Sequence, residues 1–448
     1  MKHVTVKSDR DRLVIEAVVR RCGPLSRVDI HKLTHLQQSV ISRLVRELLE
    51  DGRLVENGRA ENPMGRKQVL LHLNQDHRFI VGVGFNAETV AAATMNLRPE
   101  VRTLVKEPTI LDQGREGLIN QLLSCAATAI KEAGLEPKSL LGIGVAGSGI
   151  VNTREGTFIM SSTIEVLKQI PLQQIFEDEF GVPTLLENIT RAKTVAERML
   201  GVGDTVDDMI YMEYGAGIGA GIINGGRLLY GSGYAGGEFG HTHMMEEGPA
   251  CKCGSFGCLE AIVSCTGLET RIRKAIAEGA KSQAMELAGG DPSKISGWTV
   301  LKAARQGDKT CARIVEQIGN YLGVALANLV NLFNPSMLVL DERLSLAGDG
   351  LLDQVTKLVK RQALQYCAEN LVVKFGRLGS EASVLGAGLV VLERHFEIPR
   401  FKLPRFMIES VDTPFPSGSA RRAASHPRRE SIRRQSRVNP PGGSRSRA

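Results

Sequence analysis

The order of local patterns predicts an α/β protein: an N-terminal winged helix-turn-helix followed by a two-lobed α/β body. Two observations carry this. Residues 10–73 read as three helices and then two short strands, the winged-helix order. From His77 onward, buried-strand runs alternate with helical stretches in two similar passes, which implies two lobes with a cleft between them.

In order, RDRLVIEAVVRR (10–21) has helical spacing and stops at Gly23-Pro24. Ser26, with Asp29 three positions on, is a capping-box start for a short helix ending near Thr34. A turn through His35 and Leu36 leads to a helix over 38–51, stopped by Gly52. Val40, Leu44, Val45, Leu48 and Leu49 form its expected apolar face, with Ser39, Ser42, Arg43 and Arg46 largely opposite. RLVEN (53–57) and QVLLHL (68–73) read as strands around a Gly- and Arg-bearing loop.

In the body, 79–85 and 89–97 are predicted strands, then helix 115–133, strand 140–147, a turn, and helix 172–180. Strand 183–188 runs into helix 190–200, and strand 207–215 enters the glycine-rich segment 215–226, expected to be a turn. Helices fill 260–285 and 300–333, followed by strand 335–341, helix 350–368, strand 371–378 and helix 384–396. Beyond about residue 400 the chain is rich in Arg, Ser and Pro without apolar periodicity and is expected to be disordered. The predicted divisions are 1–75, 76–398 and 399–448.

The net charge of +7 is unevenly placed. Arg400–Ala448 carries 12 basic and 3 acidic residues, and 1–75 carries 14 and 9, so the body between is acidic. That asymmetry suggests a nucleic-acid partner for at least one end, and the winged-helix order at the N-terminus makes double-stranded DNA the expected one. No apolar run reaches the roughly 20 residues of a membrane helix, and MKHVTVKSDRDR lacks an apolar signal core. A cytoplasmic protein with no membrane partner is expected, its 8 cysteines reduced.

Three of those cysteines are clustered. EFGHTHMMEEGPACKCGSFGCLE (238–260) places Cys251, Cys253 and Cys258 within eight positions, ten residues after His241. Three thiolates and one imidazole form a closed tetrahedral shell suited to a structural Zn²⁺, with no open position for hydrolytic water. By spacing alone, His243 competes with His241 for the fourth place.

GEFGH, the spaced CxCGxxGCLE, and GAGIGAGI before them resemble the ROK family of repressors and sugar kinases, over nearly all of residues 10–397. The resemblance implies an actin/sugar-kinase-like pair of lobes and zinc on His241, Cys251, Cys253 and Cys258. It also implies sugar contacts from Ser162, Asn188, Glu238, His241 and Glu260. Their carboxylates, amide and hydroxyl suit sugar hydroxyls, which need both donors and acceptors. His241 can hold metal through one ring nitrogen and a sugar hydroxyl through the other. Glu260 also reads as a first-turn carboxylate stabilised by the helix dipole.

The resemblance fails where phosphotransfer is performed. Kinases of this family carry Asn-Asp where this chain has Asn188-Ile189, and isoleucine cannot accept a proton. Glu187 is no replacement, since strand neighbours face opposite ways. The phosphate loop Asp-x-Gly-Gly-Thr is here Gly84-Phe85-Asn86-Ala87-Glu88, and Ala216 stands where a phosphate-contacting threonine is usual. Gly147-Ser148-Gly149 replaces a more usual Pro-Gly. No catalytic residue is assigned.

At the N-terminal end, Gln38, Ser39, Ser42 and Arg43 are placed to reach base edges in the major groove, Arg27 and Arg46 to contact phosphates, and Arg66 and Lys67 to enter a minor groove. The expected function is a DNA-binding regulator of carbohydrate genes, in the first instance a repressor. A sugar or sugar derivative would control it, and it would act as a homodimer or homotetramer. The competing reading is an ATP-dependent sugar kinase.

Overall fold

Apolar residues at helical spacing fold Lys7–Cys22 into α1, which buries Val14, Ile15, Val18 and Val19. Ser26 starts α2 (Arg27–Thr34) with both capping-box bonds: its hydroxyl accepts from Asp29 N, and Asp29 accepts from Ser26 N at 3.0 Å. Helix α3 (Gln38–Glu50) buries Ile41, Leu44, Val45 and Leu48, so Ile41 rather than Val40 is its first core residue. Strands β1 (Leu54–Arg59) and β2 (Val69–Leu73) form an antiparallel pair closing over the three helices through Leu54 and Leu71. Residues 7–59, 68–204 and 206–397 are described by this computed structural model. Arg66, Lys67 and the 399–448 tail lie outside the described residues.

A second group begins with the antiparallel meander β3 (Phe79–Phe85), β4 (Thr89–Asn96) and β5 (Val101–Pro108). After α4 (Gly114–Glu132), β6 (Leu140–Gly147) joins β3 in parallel. A small antiparallel sheet follows: β7 (Ile150–Asn152), β8 (Thr157–Met160) and β9 (Lys168–Ile170). Then α5 (Leu172–Phe180) leads to β10 (Thr184–Asn188), parallel to β6, and to α6 (Ile189–Met199). The strand order is β10-β6-β3-β4-β5.

The same plan recurs. β11 (Met209–Tyr214), β12 (Ile218–Asn224) and β13 (Arg227–Leu228) are an antiparallel meander. Helices α7 (Leu259–Val263), α8 (Cys265–Ala277), α9 (Gln283–Leu287), α10 (Gly297–Arg305) and α11 (Lys309–Phe333) come next. β14 (Met337–Leu340) joins β11 in parallel. After α12 (Asp349–Gln362) and α13 (Gln365–Ala368), β15 (Val372–Phe375) completes the order β15-β14-β11-β12-β13, and α14 (Ala382–His395) ends the fold.

One expectation is corrected here. The glycine-rich segment 215–226 is mostly strand β12, with bends at 215–217 before it and a tight turn at Gly225-Gly226 after it. The helices expected over 260–285 are α7, α8 and the start of α9, and Ser264 separates the first two: its hydroxyl accepts from Gly267 N and starts α8 afresh.

Helices α6 and α14 join the two sheets. α6 follows a strand of the first sheet and packs on β11 and β12 of the second; α14 follows the second sheet and packs on β3 and β6 of the first. They touch closely, since a Cβ at Gly386 would lie 1.9 Å from the Ala192 carbonyl. α14 also reaches the N-terminal helices: Arg20 of α1 pairs with Glu393 at 2.5 Å and lies over the Phe396 ring.

Candidate functional site

Between the two sheets lies a cleft of about 830 Å³, including solvent at its mouth. All five predicted sugar contacts line it: Ser162, Asn188, Glu238, His241 and Glu260. Asn188 caps α6, accepting from Arg191 N at 3.1 Å while its amide donates to Gly149 O at 2.8 Å. Glu260 is in the first turn of α7, and one oxygen accepts from Ile218 N at 2.9 Å. It is therefore a first-turn carboxylate and a cleft wall at once, with its second oxygen available to a ligand. Ser161, rather than Ser162, holds the 161–164 turn, accepting from Thr163 N and Ile164 N.

Below the cleft, His241, Cys251, Cys253 and Cys258 bring one ligand atom each within 4.8 Å of one another. Cys253 and Cys258 sulfurs are 3.7 Å apart, and His241 Nδ1 is 3.7 Å from Cys251 Sγ. A tetrahedral zinc with ordinary bond lengths requires edges of about 3.8 Å between thiolates and about 3.6 Å from thiolate to imidazole. The donor set and spacing therefore fit this ion. His243 is turned elsewhere, its Nδ1 3.0 Å from Phe256 O. The knuckle closes through Gly254 and Gly257, both at positive φ; a Cβ at Gly257 would strike Met245 O at 1.9 Å. Cys258 precedes the first residue of α7, so the knuckle fixes Glu260. With Nδ1 towards the thiolates, His241 turns Nε2 towards Glu238, 3.9 Å away. A metal on Nδ1 leaves the proton on Nε2, making His241 a donor into the cleft.

The opposite end of the cleft has a different chemistry. Ile189 is buried at the head of α6 and lines the wall. Glu187 points away, locked to buried Arg191 at 2.7 Å; Arg191 also donates to Tyr234 O and lies over Tyr230, bracing the loop that carries Glu238. The β3–β4 turn satisfies itself, because Asn86 Oδ1 accepts from Glu88 N at 2.8 Å and Thr89 N at 2.9 Å. At Gly84 a Cβ would lie 2.7 Å from Ser383 Oγ and 3.0 Å from Val384 N, so α14 fills the space a longer side chain would need.

Two cleft residues had no sequence motif to announce them, Glu213 and Arg343. Glu213 accepts from Lys193 at 2.7 Å and from Thr190. Arg343 donates to Asp341 at 3.0 Å and to Tyr214 O, lies over Trp298, and faces Glu88 across the cleft at 3.9 Å. Burial would raise the Asp341 carboxyl, but Lys193 and Arg343 hold it at about 2.

Of the residues proposed for DNA, Gln38, Ser39, Ser42, Arg43 and Arg46 are all exposed on one side of α3. Arg43 pairs with Glu47 at 2.7 Å and Arg27 with Glu56 at 2.9 Å. Arg12 of α1 grips the same Glu47 at 2.5 Å, fixing α3 against α1. Among the described residues no helix is long and apolar enough to cross a membrane.

The profile of the ROK family matches residues 81–394. A xylose repressor of Caldicellulosiruptor bescii is 28% identical over 399 residues, spanning 89% of this chain and 99% of the relative. That span reaches beyond 81–394 and takes in part of the first 80 residues. A glucokinase of Halalkalibacterium halodurans is 29% identical over 318 residues, 71% of this chain and 96% of the relative. A crystal structure of a ROK family transcriptional regulator, homolog of the E. coli MLC protein, superposes with a TM-score of 0.75 at 25% identity. It covers 90% of this chain and all of its own. With the body accounted for by the profile and nearly the whole chain by regulators of the same build, the chain belongs to the ROK family.

Proposed function

We propose that this protein is a sequence-specific DNA-binding transcriptional regulator of carbohydrate genes, in the first instance a repressor. In this reading residues 1–75 form a winged helix-turn-helix head, and 76–398 form a two-lobed sugar-binding body with a structural zinc on His241, Cys251, Cys253 and Cys258. The body binds a sugar but transfers no phosphate.

One observation carries this reading: the two ends of the cleft have diverged. The sugar-facing end keeps donors and acceptors on a rigid support, with His241 and Glu260 anchored by the cysteine knuckle. The phosphate-facing end has Ile189 where the base would be, N–H groups already taken by Asn86, and α14 packed against Gly84. Binding survives such changes; general-base catalysis and phosphate positioning do not.

Sugar binding can reach the head through α14. Its first turn presses on β3 at Gly82 and Gly84 beside the cleft, and its last turn holds α1 through Glu393 and Phe396. A change in closure that favours one placement of α14 biases the heads of a homodimer or homotetramer, and so its grip on a palindromic operator.

The test is turnover. The purified zinc-loaded protein with Mg·ATP and a panel of hexoses, amino sugars and pentoses should yield no phosphosugar above a protein-free control. Multiple turnovers on any of them would establish the kinase reading instead.

A further inference from the structure

The charge of the cleft bears on which sugars it admits. Four carboxylates line it, Glu88, Glu213, Glu238 and Glu260, and among the described lining residues Arg343 is the one arginine or lysine. Its charge is already committed. Arg343 Nε is 3.0 Å from Asp341 Oδ1, Nη2 is 3.2 Å from Oδ2 and also donates to Tyr214 O, and the guanidinium lies over Trp298. Lys193, buried behind the wall, is 2.7 Å from Glu213 and 3.6 Å from Asp341. Two cations thus balance Asp341 and Glu213. Arg343 also faces Glu88 at 3.9 Å, but it is shared with Asp341, so five carboxylates (Glu88, Glu213, Glu238, Glu260 and Asp341) meet two cations and three negative charges stay in excess.

A phosphate ester would need main-chain donors, and several of those in the wall are already taken. Glu88 N and Thr89 N serve Asn86, Ile218 N serves Glu260, and Arg191 N at the head of α6 serves Asn188. What remains at the sugar end is the carboxylates of Glu238 and Glu260, the Ser162 hydroxyl and the His241 imidazole, a set suited to neutral hydroxyls.

We propose that the effector is an unphosphorylated sugar and that the cleft rejects the phosphate esters of the same sugar. This rests on reading the cleft as a sugar site and narrows the chemistry of what it takes. Three unbalanced carboxylates several ångströms from a dianion correspond to about a 100-fold loss of affinity even at a water-like dielectric.

The test is calorimetric titration of the zinc-loaded full chain with matched pairs: glucose and glucose 6-phosphate, N-acetylglucosamine and its 6-phosphate, xylose and its 5-phosphate. The expected result is that the free sugar of at least one pair binds and its ester binds about 100-fold more weakly. An ester that binds as tightly as its parent, or more tightly, overturns the proposal while leaving the sugar-site reading intact. If no member of any pair binds, the sugar-site reading itself fails, and this proposal with it. Glu88→Gln, at an exposed turn, provides a second readout. It should move the ester-to-sugar affinity ratio towards the ester by about tenfold at low salt. An unchanged ratio would overturn the electrostatic basis.

Discussion

If the cleft transfers no phosphate, as proposed, Gly84 bears on whether restoring single residues could supply that activity. Its Cβ, if present, would lie 2.7 Å from Ser383 Oγ, 3.0 Å from Ser383 Cβ and 3.0 Å from Val384 N. The hydroxyl can rotate away, but Val384 N is helix backbone. α14 would have to retreat by about half an ångström to restore ordinary contact. It cannot do so locally, since the same helix is held against Gly82, where a Cβ would be 1.9 Å from Val384 O, and against Gly144, where it would be 1.9 Å from Ala387 O. Overpacking of this kind costs about 1–3 kcal/mol, a loss of roughly 1.5–4.5 °C in Tm for a body of this size. A strand glycine with free space around it would instead gain about 0.4–1 kcal/mol on becoming alanine. The sign of Gly84→Ala in thermal denaturation therefore separates the two cases. Adding Ser383→Gly removes two of the three contacts and should shrink the penalty. Ile189→Asp, alone or with Gly84→Asp, should produce no detectable ADP with any sugar. An unchanged or raised Tm for Gly84→Ala would refute the packing argument, as would measurable turnover in the double variant.

Further outcomes follow from other parts of the molecule. Cys258→Ala should bring metal content from ~1 equivalent towards zero and weaken sugar binding, because the knuckle supports His241 and Glu260; elemental analysis and calorimetry measure the two effects. On DNA, Arg46→Ala should weaken all sequences alike and reduce the salt-dependence slope by about 1, whereas Gln38→Ala and Ser42→Ala should alter preference among operator variants, readable by fluorescence anisotropy. Buried Glu16 of α1, 2.7 Å from Arg53, is raised to about 7 chiefly by burial. Its contribution to stability is therefore full below about pH 4.5 and lost as pH rises through 7. His395 is lowered to about 4 by burial and by Arg53, Arg20 and Arg78, so its contribution is present above pH 6.5 and lost as pH falls towards 4. The two oppose each other in the parent. Removing one side with Glu16→Gln should make Tm rise, relative to the parent, by the equivalent of up to ~3 kcal/mol between pH 5 and 8.

Short-range signals were the legible ones. Ser26 and Asp29 announce a capping box that forms with both bonds, and the cysteine string announces a cluster whose four atoms converge. Long-range packing hid the rest. Gly219 and Gly221 read as a turn, yet lie in strand β12, because α6 crosses over them; a Cβ at Gly221 would be 1.7 Å from Thr194 Oγ1. β5 escaped notice because VRTLVKEP faces solvent along much of its length and carries too few apolar residues to stand out. Arg343 and Glu213 belong to no local pattern, and only the return of β14 beside β11 brings them to one wall. Ile189 stands out in the sequence where kinases of the family carry Asp, but the packing of α14 against Gly84 joins residues some three hundred positions apart.

In the proposed function, a sugar held between the sheets controls the grip of the N-terminal head on DNA. That control is tested most directly by the affinity of the zinc-loaded full chain for DNA upstream of its own coding region, titrated with each candidate sugar without nucleotide. One sugar should change the DNA dissociation constant by about 5- to 150-fold, the usual range of allosteric coupling, with the effect lost in Glu393→Ala or Arg20→Ala while sugar binding persists. A sugar that binds the cleft yet leaves DNA affinity unchanged, or an absence of sequence-specific DNA binding at any sugar concentration, would contradict it.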